Sequence, residues 1–374
     1  MKIGTLSGYS YSQKRLILDG GVKGVEFLTY RNWGLTFQNK YHSYDVYKPF
    51  FQNVDGYHVF NTILLTERPW CCTFETLIPR GRQLLNVHHH NSFDVKKGWY
   101  MDFLLKALSK DNCKKLFALS DCNLKLQYQL YSLFPNLEKT LKNKTCKTIV
   151  PQQLLSEHGK EKLNEKIKFI FIGIDFVRKG GREIISAFHK LRKKRQDFEL
   201  IMITNIQNTN NYAFKDFQDT KVEIGNSLSI IENSKDWLNI YPQMPFNEVK
   251  ELMLSCDVGL LPTWADSYGY SVLEMQSAGV PVISTNIRAI PETNQNGWII
   301  NLPLNYSGEL GLRNREHKED IRKLIIKGLY DIFDNILDDK NSIIEHSVSS
   351  HAYIKKYHSP IDYTKQITEI YNTF

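Results

Sequence analysis

The chain has 374 residues, of which 42% are hydrophobic and 24% are charged, so its composition excludes a disordered protein. This length exceeds what one ordinary hydrophobic core serves, and we expect two domains. The formal net charge of +8 favours an anionic partner such as a phosphate-bearing substrate, nucleic acid or an acidic membrane surface.

The first residues and the cysteines indicate where the protein is found. No apolar run reaches the length of a transmembrane helix, and Met1–Gly4 resembles the start of a strand, so we expect no signal peptide. The six cysteines lack C-x-x-C spacing, and two of them, Cys71 and Cys72, are adjacent. We therefore expect reduced thiols and a cytoplasmic protein.

The first half of the chain predicts an α/β domain over residues 1–150. Helical spacing occurs at residues 100–108 and again after Ser120, and a charged segment at residues 151–167 is the predicted linker. The predicted strands are Lys2–Leu6, Gly24–Leu28, Tyr57–Phe60, Trp70–Phe74 and Lys115–Leu119. The three consecutive histidines His88, His89 and His90 would splay apart, so they do not predict a metal site.

The second half predicts strands alternating with helices, which indicates a parallel sheet over residues 168–357. An amphipathic helix follows the first strand, and an apolar stripe over residues 321–336 predicts a long core helix. Residues 358–374 predict a terminal helix. The predicted strands are Lys168–Gly173, Phe198–Thr204, Asp257–Pro262 and Val280–Ser284.

A glycine-rich basic loop follows the first of these strands. In GIDFVRKGG, residues 173–181, Arg178 and Lys179 stand before a helix, whose free N–H groups attract anions. Such a loop could stabilise a leaving pyrophosphate. The alternative is a solvated basic turn.

A second loop of similar shape follows the strand Asp257–Pro262. Tyr268, Gly269 and Tyr270 would place backbone N–H groups at the start of a helix over residues 269–278, and Ser267 directly precedes them. Asp266 and Glu274 lie eight positions apart, and two carboxylates near one cleft suit a polyhydroxylated ligand. The alternative is an N-cap at Asp266 or Ser267 and a surface acid at Glu274. Both loops are expected at the carboxyl edge of the sheet, where ligands bind.

The run Lys190–Arg195 is densely basic and lies at the end of a predicted helix. A solvated face that complements the helix C-terminus is one interpretation, and contact with anionic lipid is the functional alternative. Nucleic-acid binding is not favoured, because no recognition module accompanies the charge.

Residues 168–300 resemble the nucleotide-binding domain of family 4 glycosyltransferases, which are retaining enzymes of the GT-B fold. The resemblance rests on FIGIDFVRKGG, on DSYGYSVLEMQSAGVPVIST, on AIPE at residues 289–292 and on NGWII at residues 296–300, in the family's order. It implies two Rossmann-like domains facing across a cleft, with the C-terminal helix returning to the N-terminal, acceptor-side domain.

The resemblance also implies roles for residues. Lys179 and Arg178 would pair with the donor diphosphate, Glu274 would bind the ribose, and Asp266 would meet the transferred sugar. The donor-binding set adds Gly173, Ser267, Tyr268, Gly269 and Tyr270. The chain departs from the family twice, since Asp266 replaces a glutamate and Ile174 stands where many relatives have arginine.

The acceptor-side candidates lie in the first half. PWCCTFETLIPR resembles a segment of bacterial polysaccharide transferases and places Glu75 at a strand end, and Ser120 also follows a predicted strand. Either residue could face the cleft, or each could be a cap or turn residue.

The resemblance implies a retaining glycosyltransferase that uses a nucleotide-sugar donor, UDP-sugar favoured, and a glycan or lipid-linked acceptor in surface polysaccharide synthesis. Neither metal nor cofactor is expected, and the enzyme would be cytoplasmic or peripheral at an anionic membrane. A nucleotide-sugar epimerase and a non-catalytic nucleotide-sugar-binding protein are the alternatives.

Overall fold

The computed structural model describes residues 1–6, 14–18, 22, 25–30, 34–36, 46–50, 53–80, 95, 97–209 and 211–374. Two units are distinguished by their internal contacts. The first unit comprises Met1–Pro151 and His358–Phe374, and the second unit comprises Gln152–Tyr357.

Six strands of the first unit form a parallel sheet in the order β2-β1-β5-β7-β8-β9, and three others form a small sheet, β3-β4-β6. The strands are β1 Lys2–Leu6, β2 Glu26–Tyr30, β3 Gly34–Thr36, β4 Val46–Pro49, β5 Gly56–Phe60, β6 Ile63–Leu64, β7 Trp70–Phe74, β8 Cys113–Ala118 and β9 Thr145–Lys147. The predictions for β1 and β7 are confirmed to the residue, whereas β2 begins two residues after the predicted start. The described α-helices before the second unit are α1 Trp99–Ser109, α2 Asp121–Ser132 and α3 Pro135–Lys144, and a short π-helix spans Lys14–Leu18.

The second unit contains a six-stranded parallel sheet in the order β12-β11-β10-β13-β14-β15. The strands are β10 Ile167–Asp175, β11 Phe198–Asn205, β12 Leu238–Tyr241, β13 Val258–Leu261, β14 Val282–Thr285 and β15 Trp298–Ile300. The helices are α4 Gly181–Arg192, α5 Lys221–Glu232, α6 Phe246–Ser255, α7 Tyr270–Ser277, α8 Ile290–Thr293, α9 Arg315–Asp338 and α10 Asn341–Tyr357. Apolar runs such as that of β10 are typical of parallel strands, because helices cover both faces of the sheet.

The core of the second unit lies between β10, α4 and α9. The Phe188 ring of α4 packs 4.2 Å from the Phe333 ring of α9, and both contact Phe169 of β10. These rings are fully buried, which the apolar stripe over residues 321–336 predicted for Phe333. α9 therefore anchors α4, and with it the loop that precedes α4.

Strand order reverses between β10 and β13, which are neighbours in the middle of the sheet. From β10 the chain proceeds outward through β11 and β12, and from β13 it proceeds in the other direction through β14 and β15. The loops after β10 and β13 therefore leave the same edge of the sheet side by side, at the position where open α/β sheets bind ligands.

The last helix, α11 Pro360–Tyr371, packs in the first unit. The Tyr371 hydroxyl lies 2.8 Å from Nδ1 of His58, and the Tyr363 hydroxyl donates to the backbone oxygen of Leu16. The Phe374 ring covers Gly56, where a Cβ would lie 2.2 Å from the ring. None of the described helices combines the length and apolar content needed to cross a membrane.

Candidate active site

The loops after β10 and β13 are joined by backbone hydrogen bonds. The Trp264 N–H donates to the backbone oxygen of Arg178 over 2.9 Å, and the Thr263 hydroxyl reaches the same oxygen at 3.2 Å. The Thr285 hydroxyl of β14 holds the Thr263 carbonyl at 2.7 Å. The two segments that the sequence singled out are therefore one structural unit.

Arg178 is held on two sides. Its Nε donates to Oδ2 of Asp175 at 2.9 Å, its Nη2 donates to the same oxygen, and its Nη1 donates to the Ala265 carbonyl at 2.9 Å. Burial lowers the pKa of Arg178, but Tyr212, Asp175 and Asp266 all raise it, and the net pKa lies above its ordinary value. The guanidinium therefore remains a full cation at the sheet edge.

Lys179 pairs with Asp266. The Lys179 ammonium donates to Oδ2 of Asp266, and the two side chains are only 16% and 12% exposed. The lysine stem lies against the end of β10, where a Cβ on Gly173 would come within 3.0 Å of it. Burial lowers the pKa of Lys179, and the Asp266 carboxylate opposes that shift in part.

Asp266 also organises the start of α7. Its Oδ1 accepts the backbone N–H groups of Tyr268 and Gly269, both at 3.2 Å, so these two donors are already used within the loop. Gly269 has φ +82°, a conformation that glycine adopts without strain. Burial raises the pKa of Asp266, but Lys179, Arg178 and the backbone N–H of Tyr268 all lower it, and the net pKa lies below the ordinary value.

The remaining predicted donor residues lie on α7 or in the loop before it. Glu274 is on α7 and is 9% exposed, so it is not a surface acid. The Tyr268 and Tyr270 rings are 5.0 Å apart, and Ser267 is half-buried. Ile174, the second departure from the family pattern, is 43% exposed.

Residues 156–301 match the family model described as glycosyl transferases group 1. This segment is a group 1 glycosyltransferase domain. It contains both loops, the Lys179–Asp266 pair and Glu274. No curated protein matches the chain.

Solved structures share the fold of the chain at low sequence identity. Anabaena HepE in complex with UDP-glucose has a TM-score of 0.56 and 12% identity, and the alignment covers 100% of each chain. The glycosyltransferase from Rickettsia africae has a TM-score of 0.51 and 17% identity over 86% of this chain and 77% of its own.

The pneumococcal O-GlcNAc transferase GtfA in complex with UDP and GlcNAc has a TM-score of 0.55 and 10% identity over 85% of this chain. The alignment covers 56% of the GtfA chain, so this chain spans little more than half the length of that relative. Together these likenesses confirm the predicted GT-B fold class, with two Rossmann-like domains.

A cluster of buried charged residues lies next to the loop that follows β13. Asp219, whose side chain is fully buried, accepts from Lys318 at 2.7 Å and from Arg322 at 2.8 Å, and it also pairs with Arg182. Arg322 in turn lies over the Trp264 ring, 5.6 Å from its centroid. Sequence reasoning missed this cluster, because its members come from α4, α9 and the loop before α5.

Two acids, Glu223 and Glu319, lie close enough to Asp219 for the three to share a metal ion. Both carboxylate oxygens of Asp219 already accept hydrogen bonds from the buried cations. Charge compensation within the protein therefore accounts for this group of acids.

Two further site residues were missed by sequence reasoning. Asp175 ends β10 and binds Arg178, and the Tyr212 ring lies 5.4 Å from the Arg178 guanidinium carbon. An acid three positions before the basic pair was a readable signal for Asp175. Tyr212 had no such signal, because it follows β11 in an irregular loop.

The two acceptor-side candidates, Ser120 and Glu75, lie in the first unit. Ser120 is fully buried and caps α2 by accepting the Asn123 N–H at 3.1 Å, which is the cap alternative. Glu75 follows β7, pairs with Arg80 at 3.1 Å and accepts from the Asn61 amide at 3.4 Å. The histidines at 88–90 lie outside the described residues.

The basic run Lys190–Arg195 is compensated in part by nearby acids. Arg192 pairs with Asp236 at 2.7 Å, and Arg195 binds Asp197 at 3.1 Å and Asp338 at 2.5 Å. Lys190 and Lys194 both lie over the Tyr330 ring. These contacts reduce the charge that the run offers to an anionic surface.

Proposed function

We propose that this protein is a retaining glycosyltransferase. It moves a sugar from a nucleotide-diphosphate donor to a hydroxyl group of a glycan or lipid-linked acceptor, and UDP-sugar is the favoured donor. The observation that carries the proposal is the meeting of Arg178, Lys179 and Asp266 at the carboxyl edge of the sheet, within a group 1 glycosyltransferase domain. The UDP and UDP-glucose held by GtfA and HepE support UDP as the nucleotide.

In this proposal the two cations act on the leaving group. Arg178 and Lys179 neutralise the charge that develops on the departing diphosphate, so the glycosidic bond loosens into an oxocarbenium-like state. The acceptor hydroxyl attacks the face that the diphosphate leaves and gives its proton to the departing phosphate oxygen. This course retains the anomeric configuration without a protein nucleophile. Glu274 binds the ribose hydroxyls, and Asp266 accepts a hydroxyl of the transferred sugar.

The cellular setting is part of the same proposal. The enzyme works in the cytoplasm or at the inner face of the membrane, and it contributes to cell-surface polysaccharide. It needs neither a metal nor a cofactor, since protein cations face the diphosphate. EDTA should therefore leave the rate of transfer unchanged.

The experiment is a panel of UDP-, GDP- and ADP-sugars, each with and without glycan and lipid-linked acceptors. Nucleotide release that depends on an acceptor, together with a product whose NMR spectrum shows the anomeric configuration of the donor, supports the proposal. Isomerised sugar without nucleotide release would show an epimerase. Binding without any reaction would show a non-catalytic protein.

Two substitutions test the site with the donor so identified. Lys179→Ala removes a diphosphate partner and Glu274→Ala removes a ribose partner, and each should lower kcat/KM at least about tenfold, or about 1.4 kcal/mol. The exposed residues Lys193 and Glu232 provide matched alanine controls that keep full activity. Full activity in both site variants would show that the donor binds elsewhere.

A further inference from the structure

Arg178 is oriented by groups of the protein itself. A guanidinium has five N–H donors, and three of those on Arg178 are donated to Asp175 and the Ala265 carbonyl. No described residue accepts the other two. These two donors are available to a phosphate, and the orientation of the group is already set.

Asp175 is held from its other side. Its Oδ1 accepts the side-chain amide of Asn208, which lies in the loop after β11, while its Oδ2 accepts from Arg178. Both carboxylate oxygens are therefore used, one by each neighbour. The position of the carboxylate is set by the ends of two adjacent strands, β10 and β11.

The Tyr212 ring packs against the Arg178 guanidinium, with 5.4 Å between the ring centroid and Cζ. The Tyr212 side chain is 51% exposed, yet its backbone is anchored on both sides. Before it, the fully buried Asn211 exchanges two hydrogen bonds with Gln218, at 3.1 and 2.7 Å. After it, the buried Phe214 ring packs 4.7 Å from Trp264. The exposed ring is thus presented by a fixed loop.

We propose that Asp175, Asn208 and Tyr212 are positioning residues that hold the Arg178 guanidinium in the orientation that binds the diphosphate of the donor. This inference rests on the proposed function. A free arginine loses rotamer freedom when it binds an anion, and an arginine that is already oriented loses less. Asp175 also has an opposing effect, because its negative charge weakens the attraction of phosphate. The proposal requires that orientation outweighs charge.

Calorimetric titration with UDP and with uridine isolates what the phosphates contribute to binding, because uridine lacks the phosphates that Arg178 would bind. The direction in which Asp175→Ala changes the UDP affinity then shows whether orientation or charge dominates. Asp175→Ala should weaken UDP binding at least about tenfold and leave uridine binding unchanged. Asp175→Asn should restore most of the UDP affinity, because its amide oxygen can accept from Arg178 while Asn208 turns its own amide.

Tyr212→Ala removes a side chain that is 51% exposed, so it tests the proposal even if Asp175→Ala folds poorly. It should weaken UDP binding by about threefold or more, and Tyr212→Phe should restore the affinity. Asp236→Ala is the matched control, since it breaks the exposed Arg192–Asp236 pair elsewhere in the same unit and should change neither affinity.

Three outcomes would overturn the inference. UDP binding by Asp175→Ala that equals or exceeds that of the wild type would show that the carboxylate only compensates charge. Equal losses for UDP and uridine would indicate general damage to the loops. A wild-type protein that binds no UDP would overturn both this inference and the UDP assignment. If Lys179→Ala loses UDP binding while Asp175→Ala and Tyr212→Ala keep it, the inference fails but the proposed function stands.

Discussion

At the scale of single residues, Asp266 carries two structural tasks with one short side chain. One oxygen pairs with Lys179 and the other caps the turn before α7, so a mostly buried carboxylate has all its partners within the loops. Buried ion pairs are tolerated when further hydrogen bonds satisfy both charges. A sugar hydroxyl that reaches Asp266 would join an established network rather than a free acid.

A double-mutant cycle measures this pair. Asp266→Ala leaves a buried ammonium without its counter-ion, so we expect a loss of about 3 kcal/mol in the free energy of unfolding. Lys179→Ala together with Asp266→Ala should cost at least about 1 kcal/mol less than the sum of the single changes. Urea unfolding of the second unit, followed by near-UV circular dichroism, gives both values.

The control cycle uses Lys327 and Asp331, an exposed pair on one face of α9. Their coupling should stay below about 0.5 kcal/mol, because solvent screens exposed pairs. Additive losses at Lys179 and Asp266 would mean that the contact adds nothing to the stability of the folded protein.

At the scale of elements, α11 is attached to the sheet of the first unit through a histidine. The His58 ring is fully buried, with Tyr371 on Nδ1 and Thr73 on Nε2, both at 2.8 Å. Burial lowers the pKa of His58 to about 3. Just before α11, burial also lowers the pKa of His358 to about 4, and its Nδ1 donates to the Val150 carbonyl at 2.8 Å.

These two shifts predict how the stability of the first unit depends on pH. Below pH 6.5 both histidines are protonated in the unfolded chain but neutral in the folded one, so the unfolded state binds more protons. Stability is therefore full above pH 6.5 and falls by about 1.4 kcal/mol per pH unit for each histidine, down to the folded pKa values. The urea midpoint of the first unit, measured from pH 7.5 to 4.5, checks this slope.

His58→Gln should lower the stability of the first unit at neutral pH. Below pH 6.5 it should also reduce the dependence of stability on pH by about 1.4 kcal/mol per pH unit, the contribution of one histidine. The exposed His189 provides the control, since His189→Gln should leave the slope of the first unit unchanged. An unchanged slope in His58→Gln would show that other groups cause the acid sensitivity.

At the scale of the whole molecule, the chain leaves the first unit at Pro151 and returns to it at His358. Three side chains of α11, Tyr363, Ile367 and Tyr371, are buried within the first unit. The second unit has its own aromatic core and its own parallel sheet. The two units should therefore respond separately to the loss of α11.

A stop codon after Tyr357 tests this expectation. Amide hydrogen exchange should become faster in β5, which contains His58, and in β7, which contains its partner Thr73. Exchange should stay slow in β10 and β11, since the core of the second unit is intact. Ile361→Ser is the control, because Ile361 is 80% exposed on α11 and its replacement keeps the helix. Unchanged exchange in β5 would show that the first unit does not depend on α11.

Strands that are short, apolar and fully buried were predictable from sequence. β7 has five buried residues in a row, and its bounds follow from composition alone. α5 and α10 were not predicted, because few of their residues are buried. Tertiary packing, rather than an apolar stripe, selects a helix in such segments.

The sequence by itself determined the parallel α/β class, the two loops after β10 and β13, and the residue types that suit a nucleotide sugar. Only the tertiary structure decided which charges meet. Lys179 and Asp266 are 87 positions apart, and they pair because the strand order reverses between β10 and β13. The same edge brings Tyr212 onto Arg178 and binds Arg178 to Asp175. Charge interactions depend on distance and burial, which become defined only when the sheet has formed.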